Sequence, residues 1–427
     1  PKQNHRGLIL AAVAPKAPAQ MHSRCVHVGL FLFVLCPLHS FSFLLSIDLG
    51  SQYFKVALVA PGKLEIVHNQ HSKRKTPTAV SFHDKTRTFG DDAVASAPRG
   101  PAKTPMFFTR QLGLNYSNAV PSGVEYHWLP KSTYPYVLGV NDSGTLRFDF
   151  GEETYVVEEV LAHLLGFAKD LAMQAADGIS VTETVITVTS SATIAQRKSI
   201  VEAARIAGLP RPSLMHETSA AALQRSLDLD LSNRTNGSTS NASTVLFYNM
   251  GSRHVEACVV KYQDATYMGK STVSMDVLGC GVNEQLGGHH VDLLLADKML
   301  KAFQTKYPKF ADGIASNVRA LRKLEKEAMN LKHVLSANKD GQFRVESLYE
   351  DTDFAHPISR ATLEEWCTDL FAAFSQPIED ALRVAKTNLE AVDAVEMIGG
   401  GWRIPRMQQL LHEYLQSKRP DLPVLPL

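Results

Sequence analysis

The sequence predicts an α/β protein of two similar lobes, and two observations carry this prediction. Strand-like and helix-like segments alternate along much of the chain, as they do where helices pack on sheets. A strand–turn–strand segment that begins at Ser46 also returns, with related residues, in the second half of the 427-residue chain. An internal repeat of this kind indicates two lobes of common design.

The residues before the first predicted strand, 1–42, include an expected targeting segment. Residues 21–42 carry a short basic region, an apolar run and small residues spaced as for a signal peptide. The apolar run is too short and interrupted to span a membrane comfortably, so cleavage would leave no stable membrane insertion. A retained signal anchor is the alternative. Residues 1–20 are expected to be an untranslated or disordered extension.

Composition, sequons and cysteines narrow the class of protein. The net charge of +1 gives no indication of nucleic-acid binding. Sequons suggest a glycoprotein, although polar loops also generate them by chance. An odd number of cysteines outside the signal, without metal-ligand spacing, predicts core thiols and not a disulfide scaffold. The sequons are Asn115, Asn141, Asn233, Asn236 and Asn241, and the cysteines are Cys258, Cys280 and Cys367.

The first element is a hairpin, "SIDLGSQYFKVALV", with polar residues at the turn between two apolar strands. Gly50 can adopt a positive φ and direct backbone N–H groups at an anion, and Ser51 adds a hydroxyl donor. Asp48, just before the turn, could hold a metal ion through water. The turn is thus a candidate half of a phosphate clamp.

Helix and strand signals then alternate through the first half of the chain. Apolar residues recur at helical spacing from Val157 to Ala175, and "TVITVT" predicts a buried strand. The next helix should end at Gly208, with Pro210 preventing its continuation. A polar loop, residues 232–244, is predicted to separate a first lobe, 43–231, from a second, 245–427.

The second hairpin, "VLFYNMGSRHVEACVV", lies directly beyond this loop. Asn249 corresponds to Asp48 and Gly251 to Gly50, at a constant offset of 201 residues (249 − 48). Coincidence is one explanation, but the acid or amide, the Gly-Ser pair and the apolar tail all agree. Two such turns on facing lobes would hold a phosphate chain between them.

A third glycine cluster suggests a nucleoside subsite. Gly399 to Gly401 follow a predicted strand and precede a helix, so a flat ligand could lie against bare backbone. Arg403 could stack on an aromatic base through its guanidinium plane. Farther upstream, apolar residues from Val318 to Leu335 define an amphipathic helix whose Lys332 and His333 could reach the same ligand.

In this order the motifs resemble the nucleotide-binding domain of the heat shock protein 70 family. They are IDLGS, IAGL, ETSAAA, the second hairpin, LGG, LKHVLSAN, LYEDTDF and IGGGWRIP, from about Leu45 to the chain end. SKRKTP and LKHVLSAN look more like the large ER-lumenal branch, which the signal peptide fits. The resemblance implies an actin-like ATPase fold with ribonuclease H-like, internally duplicated sheets and ATP between the lobes.

The resemblance also implies site residues for ATP or ADP with Mg2+. Glu217 and Asp48 would be catalytic, and Asp48 and Asn249 would hold the magnesium ion, the latter through water. The nucleotide-contacting positions would be Gly50, Ser51, Gln52, Gly251, Ser252, Gly287, Gly288, Lys332, His333, Ser336, Gly399, Gly400 and Arg403.

Several positions depart from the family pattern. Asn249 replaces a second aspartate, Thr109 a catalytic lysine and Met329 a glutamate. Arg253 and His254 stand where the family has a glycine and a threonine, and Arg253 could either obstruct the loop or supply a cation. Because phosphoryl transfer depends on positioned charge, these changes favour slow hydrolysis with ATP binding retained.

Three functions follow from these expectations. The favoured one is an ATP-binding chaperone of the ER lumen, acting mainly as a nucleotide exchange partner of the principal ER-lumenal heat shock protein 70 chaperone. An active ATP-hydrolysing folding chaperone is the alternative. A small-molecule kinase on the same fold is less consistent, because no acceptor-binding acidic motif is apparent. The full-length form would bind unfolded client proteins, residues 245–427 being a C-terminally truncated lobe without a peptide-binding domain.

Overall fold

The computed structural model describes residues 43–60, 63–83, 86–114, 135–141, 144–228 and 242–426. The predicted signal peptide, most of the polar loop and four of the five sequons lie outside these residues. Asn141 is the sequon asparagine within them, and its Oδ1 accepts a hydrogen bond from the Thr145 backbone N–H at 2.8 Å.

The first lobe is organised around one mixed sheet. Its elements are β1 (Phe43–Leu49), β2 (Tyr53–Ala60), β3 (Lys63–Val67), β4 (Thr76–Pro77), β5 (Val80–Ser81), β6 (Thr88–Phe89), α1 (Gly90–Ser96), β7 (Val137–Val140), β8 (Leu146–Asp149), β9 (Thr154–Val156), α2 (Val157–Ala175), β10 (Val181–Val188), α3 (Ile194–Ile206) and β11 (Ser213–His216). The main sheet has the order β11-β10-β1-β2-β3, with β4 beside β2. Strands β1 to β3 are antiparallel, whereas β10 and β11 run parallel to β1.

Local sequence explains these elements. Alternate residues of β1 are buried, as a strand between a core and a partly covered face requires. Helix α3 begins at a capping box, in which Thr193 accepts from the Gln196 backbone and Gln196 Oε1 accepts from the Thr193 backbone. The predicted end at Gly208 is confirmed, since this residue has φ +65° directly beyond the helix.

The second lobe repeats this design. Its elements are α4 (Glu217–Asp228), β12 (Ala242–Met250), β13 (Val255–Tyr267), β14 (Lys270–Asn283), α5 (Gly288–Lys306), α6 (Ala311–Ser316), α7 (Val318–Ala337), β15 (Asp340–Tyr349), β16 (Thr352–Ser359), α8 (Arg360–Trp366), α9 (Thr368–Phe371), α10 (Gln376–Ala385), β17 (Ala394–Ile398), α11 (Pro405–Lys418) and β18 (Val424–Pro426). The sheet order is β14-β13-β12-β17-β18, with three antiparallel strands and then two parallel ones. The internal duplication is therefore confirmed strand by strand.

Helix α4 connects the lobes and packs on the second sheet. Ala222 is fully buried in a cluster with Phe247, Val260 and Ile398. The Tyr262 hydroxyl donates to the Ala222 carbonyl at 2.9 Å. The helix thus belongs by packing to the second lobe, although it precedes residue 231. The lobe boundary in the 232–244 loop stays a prediction.

A disulfide joins Cys258 to Cys280, which oppose each other directly on β13 and β14. The expectation of core thiols is wrong for this pair, because pairing depends on a strand register that cysteine spacing does not reveal. It is confirmed for Cys367, which is free and buried. None of the helices in the described part of the chain is both long and apolar enough to cross a membrane.

Candidate functional site

The first hairpin places Asp48 at the end of β1, half-exposed. Its Oδ1 accepts from the Thr187 hydroxyl at 3.1 Å, and its Oδ2 pairs with Lys55 Nζ at 2.6 Å. Lys55 lies directly opposite Asp48 on β2. The turn is tight, since a Cβ on Gly50 would lie 2.4 Å from the Tyr53 carbonyl oxygen. A side chain at position 50 would therefore distort the hairpin.

The second hairpin is buried where the first is open. Asn249 is 6% exposed, and its Nδ2 donates to Glu217 Oε2 at 3.0 Å. His254 Nε2 lies 3.6 Å from the same carboxylate oxygen. Burial lowers the pKa of His254, but the Glu217 and Glu256 carboxylates outweigh it, so the pKa is raised. Glu217, at the start of α4, is thus held by both ends of the hairpin turn.

The Gly287-Gly288 turn packs directly on this second hairpin. Gly288 N–H donates to the Gly251 carbonyl at 3.0 Å, and His289 N–H to the Ser252 carbonyl at 2.7 Å. A Cβ on Gly287 would lie 2.5 Å from the Ser252 carbonyl oxygen. Glycine is required here because two backbones touch.

The triple-glycine turn covers the same hairpin from the other side. Gly399 has φ +87°, and a Cβ on it would lie 2.3 Å from the Met250 carbonyl oxygen. Gly401 also lies close to this hairpin, because a Cβ added to it would lie 2.8 Å from the Gly251 carbonyl oxygen. Gly400 differs, since an added Cβ would meet nothing within 4 Å. The middle glycine therefore faces open space beside the second turn.

Helix α7 brings a further set of predicted residues to this point. Lys332 Nζ donates to the Gly288 carbonyl and pairs with Asp292 Oδ1, both at 2.7 Å. Ser336 lies one turn later and donates to the Lys332 carbonyl at 2.9 Å. Burial and the Lys332 charge lower the pKa of His333. Burial raises the pKa of Asp292, but Lys332 and His289 outweigh it and hold it below its usual range.

The first hairpin reaches the same helix. Gln52 Nε2 contacts Met329 Sδ at 3.0 Å, at the position where the family has a glutamate. Lys75, in the motif SKRKTP, lies with its Nζ 4.3 Å from the centroid of the Tyr53 ring. Burial and nearby cations, Arg403 foremost, lower the pKa of Lys75. The two hairpins, the glycine turns and α7 thus surround one space, and the exposed Arg403 lies at its rim.

Arg253, considered above as a substitute cation, and Arg110, next to Thr109, lie at contacts between the lobes. Arg253 is buried, with its guanidinium carbon 5.9 Å from the ring centroid of Phe107. That ring stacks on His289 at 3.9 Å. Arg110 pairs with Glu284 at 2.8 Å. Thr109 lies in the same short 3-10 turn as Arg110 and brings no charge.

Glu256 is a site residue that the sequence reasoning missed. Its side chain is fully buried, and Oε2 accepts from the Ser190 backbone N–H at 2.9 Å and its hydroxyl at 2.7 Å. Oε1 accepts from the Thr218 hydroxyl. A signal was present, because a glutamate stands in an apolar strand at the repeat position of Lys55 (256 − 55 = 201).

The donor set fits a magnesium ion poorly. Both carboxylate oxygens of Asp48 have protein partners, one of them an ammonium group. Asn249 presents its amide nitrogen, a donor, to Glu217. Among the residues that the structure describes, no group of three or more His, Cys, Asp or Glu could hold a metal ion. The magnesium contact proposed for Asp48 and Asn249 stays a prediction.

Two lobes with duplicated sheets define a domain of the actin-like ATPase fold class. The chain belongs to the heat shock protein 70 family, because the family model described as Hsp70 protein matches residues 44–426. The actin-like fold is thereby confirmed, and membership implies nucleotide binding.

Relatives extend the resemblance. The chain is 34% identical to hypoxia up-regulated protein 1 of Xenopus laevis over 393 residues, covering 91% of this chain and 59% of that protein. It is 35% identical to the Danio rerio protein of the same name, with 86% and 37% covered. The Homo sapiens protein of that name is 33% identical, with 86% and 36% covered. The chain thus spans between about a third and three fifths of the length of these relatives.

Proposed function

We propose that this chain is the ATP- and ADP-binding domain of a chaperone of the ER lumen that assists protein folding. The observation that carries the proposal is the convergence of two duplicated turns, two further glycine turns and α7 around one space. Lys75 and Arg403, whose positive charges lie close enough to act on each other, suit a polyphosphate. The bare backbone at Gly400 suits the flat base, and the charge of Arg403, three residues later, also acts on His333.

The proposed roles follow the family resemblance. Gly50, Ser51 and Gln52 would contact phosphates from the first lobe, and Gly251 and Ser252 from the second. The remaining sugar and base contacts would come from Gly287, Gly288, Lys332, His333, Ser336, Gly399, Gly400 and Arg403. Glu217, which lies between Asn249 and His254, would orient a water molecule.

Hydrolysis is expected to be slow in this domain. Asn249 contributes no negative charge, and Thr109 contributes no cation to a transferring phosphate. Arg110 and Arg253 lie at inter-lobe contacts instead. A domain that binds nucleotide but turns it over slowly suits a co-chaperone whose main task is nucleotide exchange on the principal ER-lumenal heat shock protein 70 chaperone.

Two observations support a stress-response protein located in the ER lumen. The relatives are named hypoxia up-regulated protein 1, a name consistent with a stress response. The Cys258–Cys280 disulfide is typical of an oxidising compartment. Unfolded client proteins would be partners of a longer form.

The proposed nucleotide site is tested by introducing side chains where the nucleotide would bind and measuring ATP affinity. An added Cβ at Gly251 lies 3.6 Å from the His254 carbonyl oxygen, an ordinary van der Waals contact, and one at Gly400 meets nothing within 4 Å, so neither position forbids a side chain. We expect Gly251→Val and Gly400→Val to fold and to lose at least about tenfold in ATP affinity by calorimetry, or roughly 1.4 kcal/mol. Gly50→Val would be uninformative, because it breaks the hairpin itself.

The matched control is Gly166→Val in α2, where an added Cβ also meets nothing within 4 Å. This variant should keep wild-type affinity. Unchanged binding in Gly251→Val and Gly400→Val, with their fold intact by circular dichroism, would exclude this space as the nucleotide site.

A further inference from the structure

Lys55 is paired with the Asp48 carboxylate, which the family resemblance assigns to a metal ion. Its Nζ lies 2.6 Å from Asp48 Oδ2, and the strand register places the two residues directly opposite each other. The pairing therefore follows from the hairpin itself and needs no rearrangement. An ammonium group has three donors, so two remain for a ligand after Asp48 takes one.

The surroundings of Lys55 are cationic. Lys75 stands over the Tyr53 ring just beyond the first turn, and the charges that depress its pKa include Arg403, Lys55, Lys73 and Lys332. Two nearby carboxylates already have ion-pair partners: Asp292 is paired with Lys332, and Asp48 is paired with Lys55. Lys55, Lys73 and Lys332 are each paired with a carboxylate, whereas Lys75 and Arg403 form no ion pair with a described residue. A polyphosphate therefore meets complementary charge at Lys75 and Arg403, and a divalent cation is repelled there.

The second hairpin does not restore a cation site. Asn249 is uncharged, and its side-chain amide donates to Glu217. Glu256, the repeat counterpart of Lys55, is buried and accepts its hydrogen bonds from Ser190 and Thr218. Neither turn offers a carboxylate that is free to bind magnesium.

We propose that the Lys55 ammonium takes the place of magnesium at this site, so that nucleoside di- and triphosphates bind without a divalent cation. This inference rests on the proposed nucleotide site. Lys55 acts as a point charge on the phosphate oxygens while Asp48 holds it in place from behind. The chain then retains nucleotide under conditions that strip it from a magnesium-dependent site.

The test is a calorimetric titration of the purified chain with ADP and with ATP, in magnesium and in EDTA. Wild-type affinity should differ by less than about threefold between the two buffers. Lys55→Met should lose on the order of tenfold in EDTA, because a charge-assisted contact is removed, and should regain affinity when magnesium is added. Lys55→Arg should stay close to wild type.

Asp48→Asn distinguishes a lysine-based phosphate site from a magnesium site, because it keeps Lys55 and removes the carboxylate charge. If Lys55 binds the phosphates, nucleotide affinity in EDTA should rise. If Asp48 binds magnesium, the variant should lose magnesium-dependent affinity. Lys261→Met, on β13, controls for the loss of one positive charge.

Binding by the wild type that requires magnesium would overturn this inference and leave the nucleotide site standing. Absence of nucleotide binding in both buffers would overturn both.

Discussion

The two hairpins share one topology and a 201-residue offset (249 − 48), yet they lie in opposite environments. In the first, Asp48 and Lys55 oppose each other across the strands and pair with each other, about half-exposed. In the second, Asn249 and Glu256 occupy the equivalent positions and also oppose each other. Both are buried, and each bonds to a residue outside the hairpin. Duplication has kept the backbone while the polar positions changed partners.

Burial accounts for this difference. A buried carboxylate without partners is costly, so Glu256 must find donors, and Ser190 and Thr218 supply them. An exposed pair such as Asp48–Lys55 contributes only about 0–1 kcal/mol to stability. The polar pair of the second hairpin is therefore used in contacts with Ser190 and Glu217, whereas the first hairpin keeps an exposed charge that a ligand can use.

The largest expected effect is a loss of stability when the close packing of Gly399 on the second hairpin is disrupted. Gly399→Ala forces a left-handed φ on alanine and drives its Cβ toward the Met250 carbonyl, so we expect a loss of several kcal/mol in the free energy of unfolding. Gly400→Ala, one residue away in open space, is the matched control and should be nearly neutral. Urea denaturation followed by tryptophan fluorescence measures both. Equal midpoints for the two variants would contradict the close backbone packing described for Gly399.

Sequence reasoning recovers what is local and repeated. The hairpins were predictable because a strand and a glycine turn have short-range signatures. Lys55 could also have been identified, since a tight hairpin after Asp48 sets its register. The partners of Glu256 and Cys258 could not, because Ser190, Thr218 and Cys280 come from separate elements whose arrangement only the folded chain defines.

A second, smaller effect concerns the charge that the second hairpin lacks. Asn249→Asp combined with Thr109→Lys should raise the single-turnover rate of ATP hydrolysis by about tenfold to a thousandfold. The aspartate would face Glu217 where the amide now lies at 3.0 Å, so two carboxylates would need a cation between them. Magnesium binding should therefore appear together with the faster rate.

The control for this variant is Asn330→Asp on the exposed face of α7, which should leave the rate unchanged. A wild-type rate already at the usual pace of the family, or no gain in the double variant, would replace the co-chaperone interpretation with the active chaperone.

The smallest effect is a pH dependence confined to the buried side of the site. His290, in the first turn of α5, has its pKa lowered from 6.5 to about 3 by burial, with Arg253, His289 and Arg110 adding to the shift and Asp292 opposing it. A depressed pKa means that the unfolded chain binds the proton first. Stability is then full above about pH 6.5 and falls as the pH drops toward 3. His254 acts in the opposite sense, because its pKa is raised.

His290→Gln should remove this acid sensitivity. At pH 5 the wild type should have lost roughly 2 kcal/mol relative to pH 8 through His290, while the variant loses correspondingly less. Urea midpoints across this range measure the difference. His71→Gln, an exposed histidine beside Asp92 on the first lobe, shows what loss of an imidazole does by itself. Parallel profiles for wild type and His290→Gln would mean that the start of α5, which packs on the second hairpin, tolerates a charged imidazole at His290.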